Sequence, residues 1–183
     1  MKRRIALIGA ALALLIAAAI HLAPRPAPQP PLKIYIESPA FANGTRIPPQ
    51  YTCDGADASP PLRWSGVPPG AKSLMIVVVD PDAPRGPFTH WVIYNIDPNT
   101  TELPPNLEKT PTTRYGHQAM NDFGKVGYGG PCPPPGPPHR YIFTIYALDT
   151  KLSTPPGSPH QDVIREATPH IIAAGQLVGL YRR

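Results

Sequence analysis

Residues 74–96 read LMIVVVDPDAPRGPFTHWVIYNI and join two apolar segments through a polar, proline-rich loop. The segment from Leu74 to Val79 is continuously apolar, which predicts a strand that is buried on both faces. Asp80 closes this strand, and His90 opens the next aromatic and β-branched segment. The pattern therefore predicts two strands whose loop ends carry a carboxylate and an imidazole.

A second stretch repeats this pattern. Residues 129–141 read GGPCPPPGPPHRY, so that His139 opens a third apolar and aromatic segment. If the three strands are neighbours, Asp80, His90 and His139 converge at one end of a sheet. A neutral imidazole has one donor and one acceptor, and a nearby carboxylate fixes which nitrogen carries the hydrogen. We therefore predict a small polar pocket.

Further groups near these side chains suit an anion. Asp82 and Tyr141 stand two positions beyond Asp80 and His139 and can join the pocket. The backbone N–H groups of Gly129 and Gly130 can approach a ligand closely, because no Cβ intervenes. The interpretation is a small anion receptor that needs neither lysine nor metal.

Two other kinds of site stay open. Asp80 and His139 could act as an orienting group and a base, but no Gly-x-Ser-x-Gly motif is present, and Thr89 and Ser59 carry no nucleophile signature. A metal could use these two side chains with Asp82 and His90, yet no His-x-x-x-His or Cys-x-x-Cys spacing supports it. We rank a hydrolase and a metal enzyme below a binding protein.

The two stretches together resemble the phosphatidylethanolamine-binding protein family, in its prokaryotic branch related to the Raf kinase inhibitor protein. The resemblance begins near Ser38 and continues through YTCDG at 51–55, SPPLRW at 59–64 and NDFG at 121–124. It implies a Greek-key β-sandwich with the pocket at one end. By the same resemblance, the ligand positions are Asp80, His90, Gly130, His139 and Tyr141, while Asp82 and Pro84 shape the first loop.

The resemblance also implies what the pocket binds. We expect a small phosphate- or carboxylate-bearing ligand or a phospholipid headgroup, without a cofactor. Family members also act on protein partners, so a protease-inhibitory or signalling module remains the alternative. Residues 133–138, PPPGPP, depart from the more flexible loops of the family and predict a stiff segment that could narrow the mouth.

The first 31 residues predict export. Lys2-Arg3-Arg4 precedes an uncharged segment from Ile5 to Ile20, which is the order found in signal peptides and membrane anchors. Small residues at 17–19 suit a signal peptidase, whereas the segment is close to the roughly 18 residues of a spanning helix, so both outcomes stay open. The predicted organisation is a signal peptide or anchor at 1–23, a proline-rich linker at 24–31 and one periplasmic or extracellular domain at 32–183.

The charge and the cysteine content of the chain agree with the predicted export. Without Lys2-Arg3-Arg4 the formal net charge falls from +5 to +2, which is too little for the dense basic surface that nucleic-acid binding needs. Cys53 and Cys132 lie in loops of an exported chain, where oxidising conditions allow a disulfide between them. Two free thiols beside the pocket are the alternative.

Proline sets where strands can form, because it has no N–H for a central ladder. The chain has 29 prolines, and the segments that lack them predict strands over 32–36, 74–80, 90–96, 141–148 and 175–181. A helix is predicted from Ser158, with this residue as its cap, Pro159 in the first position, Gln161 completing a capping box and an end before Pro169. A further turn is predicted over 170–174. The expected fold is mostly β, with one or two short C-terminal helices.

The remaining aromatic and histidine side chains receive structural roles. Trp91 and Tyr94 are predicted core residues, because alternate positions of a sandwich strand must fill the interior. His117, His160 and His170 are expected at the surface or in local capping.

Overall fold

The computed structural model describes residues 32–183, which form two β-sheets and a short helix. The strands are β1 (Leu32–Lys33), β2 (Tyr35–Glu37), β3 (Thr45–Arg46), β4 (Leu62–Ser65), β5 (Ser73–Asp80), β6 (Phe88–Ile96), β7 (Glu102–Leu103), β8 (Thr112–Thr113), β9 (Gly116–Gln118), β10 (His139–Leu148) and β11 (Ile171–Tyr181). The helix is α1 (His160–Ala167), and single 3₁₀ turns cover Pro49–Tyr51 and Thr168–His170.

The larger sheet has eight strands. Seven of them follow the order β1-β11-β10-β5-β6-β9-β8, and β3 pairs with β11 in parallel, as β1 does. The smaller sheet has the order β2-β4-β7. The two sheets pack face to face, and α1 covers the other face of the larger sheet. The predicted mostly-β sandwich with a short C-terminal helix is confirmed.

Strand β5 lies at the centre of this arrangement and is buried along nearly all of its length. Its alternate side chains enter two different cores because successive residues of a strand point to opposite faces. Leu74, Ile76 and Val78 pack between the sheets, whereas Met75 and Val77 pack beneath the helix. This double burial explains why the segment reads as a continuous apolar run.

The core predictions for the next strand are also confirmed. Trp91 packs between the sheets and Tyr94 beneath the helix, and both side chains are fully buried. The Trp91 indole N–H donates to Oε1 of Gln118 at 2.7 Å, so burial of this polar group is compensated.

The first predicted strand is divided by the structure. Residues 32–33 pair with β11 in the larger sheet, and residues 35–37 pair with β4 in the smaller one. Ile34 lies at the crossing, where its N–H donates to the carbonyl oxygen of Ala174. The chain therefore changes sheets within one short apolar segment, which an alternation pattern does not reveal.

Several C-terminal predictions were wrong. Pro159 precedes α1 as its cap residue, without a side-chain capping bond, so the capping box with Ser158 and Gln161 does not form. Residues 171–181 are a strand, which replaces the helical turn predicted over 170–174. His160 is buried, and its Nε2 lies 2.8 Å from Oδ1 of Asp122.

No helix within residues 32–183 is long and apolar enough to cross a membrane. The predicted signal peptide or anchor and the linker lie outside the described residues.

Candidate functional site

A cavity of about 310 Å³ opens at the loop end of β5, β6 and β10. Four of the five predicted ligand residues line it, namely Asp80, His90, His139 and Tyr141. Pro84, predicted to shape the first loop, also lies in its wall. The convergence expected from the strand ends is thus present.

Register explains how β10 delivers its side chains. Ile142 pairs with Val79 of β5 in an antiparallel ladder, which carries Tyr141 and His139 alongside Asp80. Tyr141 shares the inner face with Phe143, which is buried between the sheets. The same alternation that fills the core therefore aims this end of β10 into the cavity.

A β-bulge delivers His90. The β5–β6 register shifts between Val78, which pairs with Trp91, and Val79, which pairs with Thr89. His90 is the extra residue at this shift. With Trp91 on the inner face, strict alternation would turn His90 away from the pocket, but a bulge re-aims the side chains that follow it. The His90 ring consequently lies with Asp80 and Tyr141 in one wall.

The His90 ring is held from behind by backbone. Its Nδ1 lies 2.7 Å from the carbonyl oxygen of Gly129, and the N–H of Gly129 donates to the carbonyl oxygen of His90 at 2.9 Å. Only 3% of His90 is exposed. Burial lowers the pKa of His90, against the opposing effects of the Gly129 carbonyl and the Asp80 charge.

Asp80 positions His139. One carboxylate oxygen, Oδ2, lies 2.8 Å from Nδ1 of His139, and the other accepts the N–H of Asp82 at 2.8 Å. Asp80 and His139 are both buried. Both oxygens are therefore engaged by the protein, and the carboxylate orients the imidazole that faces the cavity.

Asp82 braces the first loop, as the sequence interpretation proposed. Its carboxylate accepts hydrogen bonds from Nε, Nη2 and the backbone N–H of Arg140, at 2.7 to 2.9 Å. This guanidinium holds the pKa of Asp82 well below its usual range. Asp82 does not line the cavity, and its role is to fasten the loop after β5 to the start of β10.

The Tyr141 hydroxyl is buried and makes no hydrogen bond with residues 32–183. Burial, reinforced by the nearby Asp80 carboxylate, raises the pKa of Tyr141 far above its usual value. The group is therefore a neutral O–H donor in the wall of the cavity. A buried donor without a partner is costly, which favours a ligand or water atom opposite it.

Aromatic rings form much of the wall. Phe88, His90, Phe123 and Tyr141 pack edge to face, with ring centroids 4.7 to 5.2 Å apart in the four closest pairs. Phe123 is 41% exposed and stands at the rim. The cavity thus combines a few polar atoms with a largely apolar surface, as small-molecule sites do.

Gly129 and Gly130 do not line the cavity, although the sequence analysis placed their N–H groups there. The N–H of Gly130 donates to Oδ1 of Asp57 at 2.6 Å, and the N–H of Gly129 is bonded to His90. A Cβ on Gly130 would lie 2.6 Å from the carbonyl oxygen of Tyr51. These glycines let two loops approach each other behind the pocket, and their N–H groups are already used by the protein.

The two cysteines are joined in a disulfide. Cys53 and Cys132 have Cα atoms 5.4 Å apart and are separated by 79 residues in sequence. Cys132 lines the cavity together with Pro133 and Pro134, whereas residues 135–138 do not. Only the first part of the stiff proline tract therefore borders the pocket, and the disulfide holds that part in place.

Some cavity residues were missed by sequence reasoning. Arg85 lines the mouth and is exposed, so the pocket has a cation although it has no lysine. The sequence did offer a signal for Arg85, because this residue lies in the proline-rich loop between β5 and β6 that the sequence analysis placed at the pocket. Phe123 could not be found in the same way, since it comes from a loop distant in sequence.

Within residues 32–183, no three His, Cys, Asp or Glu side chains lie close enough together to hold a metal ion. The two hydroxyl residues considered as nucleophiles, Thr89 and Ser59, do not line the cavity.

Comparison with known proteins places this arrangement. The sequence model described as phosphatidylethanolamine-binding protein matches residues 37–182, which is most of the chain. The chain belongs to the phosphatidylethanolamine-binding protein family. The resemblance drawn from the two stretches is confirmed, and the cavity lies within the matched region.

Relatives support this membership over nearly the same span. The UPF0098 protein of Aquifex aeolicus is 48% identical over 148 residues, which is 80% of this chain and 86% of that protein. The UPF0098 protein of Methanothermobacter thermautotrophicus is 48% identical over 149 residues, which is 81% of this chain and 98% of that protein. These names state no reaction.

Two solved structures share the fold. A phosphatidylethanolamine-binding protein homologue from Chlamydia trachomatis superposes with a TM-score of 0.75 and 38% identity, covering 82% of this chain and 98% of that one. YbcL of E. coli, described as a member of the mammalian family, gives a TM-score of 0.76 and 33% identity with the same coverage.

Proposed function

We propose that this chain is an exported member of the phosphatidylethanolamine-binding protein family that binds small oxyanions without catalysing a reaction. The ligand is of the phosphate or phospholipid-headgroup type. One observation carries the proposal: two buried imidazoles and an unpaired tyrosine hydroxyl, those of His90, His139 and Tyr141, line one cavity with Arg85 at its mouth.

The groups of the cavity have complementary tasks. Tyr141 supplies a neutral O–H donor in the wall, and the Arg85 guanidinium attracts negative charge at the entrance. Phe88 and Phe123 give the wall an apolar surface for the organic part of a ligand. A cavity of about 310 Å³ is at the small end of ligand sites, so the occupant is a headgroup-sized molecule.

The wall lacks the parts of a hydrolase. Asp80 and His139 form a carboxylate–imidazole pair, but no serine or threonine of residues 32–183 lines the cavity beside them. The Cys132 sulfur is held in the disulfide and is not available as a thiolate. The described lining therefore supplies no serine, threonine or free cysteine for this pair to activate, which supports binding over covalent catalysis.

Binding is tested by calorimetry of the purified chain with phosphate, acetate and phosphoethanolamine. We expect weak binding that is lost or reduced at least tenfold in His90→Ala and in His139→Ala, because each removes a ring facing the ligand. His170→Ala, which removes an imidazole paired with Asp149 outside the cavity, should bind as the parent does. Absence of binding to all three compounds would contradict the proposal.

Phospholipid vesicles distinguish the two sources of the anion. Sedimentation with vesicles that contain phosphatidylethanolamine should carry the protein down only if the headgroup of an assembled lipid is accepted. Binding of free phosphoethanolamine without sedimentation would limit the ligand to soluble phosphate compounds.

Export is the second part of the proposal. It is supported by the basic residues 2–4, the uncharged segment after them and the disulfide, which persists in oxidising compartments. Cell fractionation with protease protection tests it. We expect a protein outside the cytoplasm, either processed or membrane-bound at full length; an intact, soluble cytoplasmic chain would contradict export.

A further inference from the structure

The tautomer of His90 is fixed by its surroundings. Nδ1 lies 2.7 Å from the carbonyl oxygen of Gly129, and a carbonyl oxygen only accepts, so Nδ1 carries a hydrogen. Burial lowers the pKa of this ring, which favours its neutral form. Its other nitrogen, Nε2, then holds a lone pair. No hydrogen bond from residues 32–183 reaches that atom.

In His139, as in His90, Nδ1 is the ring nitrogen that carries the hydrogen. Its Nδ1 lies 2.8 Å from the Asp80 carboxylate, which accepts that hydrogen. The second Asp80 oxygen is occupied by the N–H of Asp82. In both rings, therefore, Nε2 is the nitrogen left for a ligand.

The charges around His90 do not favour a bare anion. The titratable and charged groups that face it, from every element packed against it, are Asp80, Arg85, Asp122, His139 and Tyr141. Two of them are carboxylates, and the one permanent cation, Arg85, is exposed at the mouth. A fully deprotonated oxyanion at the His90 ring would meet a lone pair, and two lone pairs repel unless a hydrogen lies between them.

We infer that the cavity binds an oxyanion together with one proton, which is held between a ligand oxygen and Nε2 of His90. The inference rests on the proposed function and adds its regulation by pH. The proton arrives in one of two ways: an acidic ligand brings its own O–H, or the ring takes a proton from the solvent and forms a new N–H. In both cases the bound complex holds the same number of hydrogens.

Phosphate diesters and monoesters separate the two routes. A monoester has a second pKa of about 6, so it carries its own hydrogen below that pH and none above it. A diester has no hydrogen to bring at any pH in the experiment. Below about pH 6, binding of a diester should therefore take one proton more from the solvent than binding of a monoester, and well above that pH the two should take the same number.

The test is calorimetry of the full chain with methyl phosphate and dimethyl phosphate, in pairs of buffers that differ in heat of ionisation. At pH 7.5 both ligands should take up about one proton, and the Kd should rise about tenfold for each pH unit above this. At pH 5 methyl phosphate should take up about one proton fewer than dimethyl phosphate, because it brings its own hydrogen. These arms also distinguish a phosphate monoester from a diester like that of a phospholipid headgroup.

Variants assign the proton to a residue. In His90→Gln the side-chain amide can donate N–H without being protonated, so binding should persist while proton uptake at pH 7.5 falls from one to near zero. His170→Gln replaces a histidine outside the cavity and should retain both values. One proton taken up by a folded His90→Gln would overturn the assignment to His90.

The two proposals fail in different ways. Measurable binding by the parent with no proton uptake above pH 7 would overturn the inference and leave the proposed function standing. No binding of either ester at any pH would overturn both. The parent measurements decide these cases even where a variant does not fold.

Discussion

At the scale of single residues, several acidic side chains connect distant parts of this domain. Asp80 orients His139, and Asp82 ties a loop to Arg140. Asp57 accepts the N–H of Gly130 and pairs with Lys109 at 2.6 Å. In each case a carboxylate joins parts of the chain that are distant in sequence. These polar positions of the loops therefore have structural roles.

Glu166 is the residue for which this fastening has a clear pH signature. Its carboxylate accepts the backbone N–H and hydroxyl of both Ser153 and Thr154, and these bonds lower its pKa to about 2. The pKa of the folded state is thus below the ordinary value of about 4.3. Stability from this group is present above about pH 5 and is lost as the pH falls towards 2.

We expect Glu166→Gln to lower the free energy of unfolding by about 1 kcal/mol at pH 7, a value reduced for solvent screening. The difference from the parent should shrink as the pH falls from 5 to 2, because the parent carboxylate then becomes protonated. Urea unfolding across this pH range measures it. Glu37→Gln, at an exposed position without such bonds, is the control; equal stability losses at pH 7 and pH 2 would contradict the argument.

How far the sequence predicts single residues depends on how local their signal is. Asp80, His90, His139 and Tyr141 were predicted correctly to meet, because each stands at the end of a strongly apolar strand. The bulge at His90 was not predictable, since it depends on the register with a partner strand.

His160 is a residue whose burial could not be predicted from the local sequence. A histidine after proline in a first helical turn gives no sign of burial, yet its ring packs in the interior beside Asp122, which lies 38 residues away. Such a contact belongs to the tertiary structure alone.

At the scale of elements, the long strands were predicted, whereas among the short ones only the segment 32–36 was, and the structure divides it into β1 and β2. β5, β6, β10 and β11 contain long segments free of proline, so composition alone separates them from the loops. The strands of the smaller sheet have two to four residues and lie among prolines and charges. A segment this short gives too few positions for a period of two to stand out.

The crossing between the sheets depends on one glycine of β11. A Cβ on Gly175 would lie 1.9 Å from the carbonyl oxygen of Ile34, where the chain passes from β1 to β2. Backbone at that distance cannot give way as a flexible side chain does. The close approach therefore requires the absence of a side chain.

We expect Gly175→Ala to lower the free energy of unfolding by about 3 kcal/mol or more, because the crossing segment must move away from β11. Gly70→Ala is the matched control, since its nearest neighbour would be a methyl group of Ile172 at 3.8 Å, and it should change stability by less than about 0.5 kcal/mol. Thermal and urea unfolding compare the two. A Gly175→Ala protein as stable as the control would contradict the role of this contact.

At the scale of the whole molecule, the disulfide connects two distant parts of the domain. Cys53 lies in the segment between β3 and β4, and Cys132 lines the cavity. The N–H of Cys53 also donates to the carbonyl oxygen of Pro131 at 3.1 Å. The wall is thus held against the body of the domain by a covalent bond and a hydrogen bond.

Removal of the disulfide should destabilise the protein strongly. For a separation of 79 residues the chain-entropy model gives about 4.5 kcal/mol. We expect the double variant Cys53→Ser/Cys132→Ser to unfold at correspondingly lower urea concentration than the oxidised parent. A reducing agent should destabilise the parent and leave the double variant unchanged. A parent whose two thiols are alkylated without prior reduction would contradict the pairing.

The order of strands has one more consequence, for the time at which the domain can form. β11 lies between β10 on one side and β1 and β3 on the other, so the latest strand in the sequence joins the earliest ones. While the chain is still on the ribosome, β1 and β3 have no partner, and pairing over so long a separation is slow even afterwards. The eight-stranded sheet therefore cannot be completed until β11, the last strand of the chain, has been synthesised.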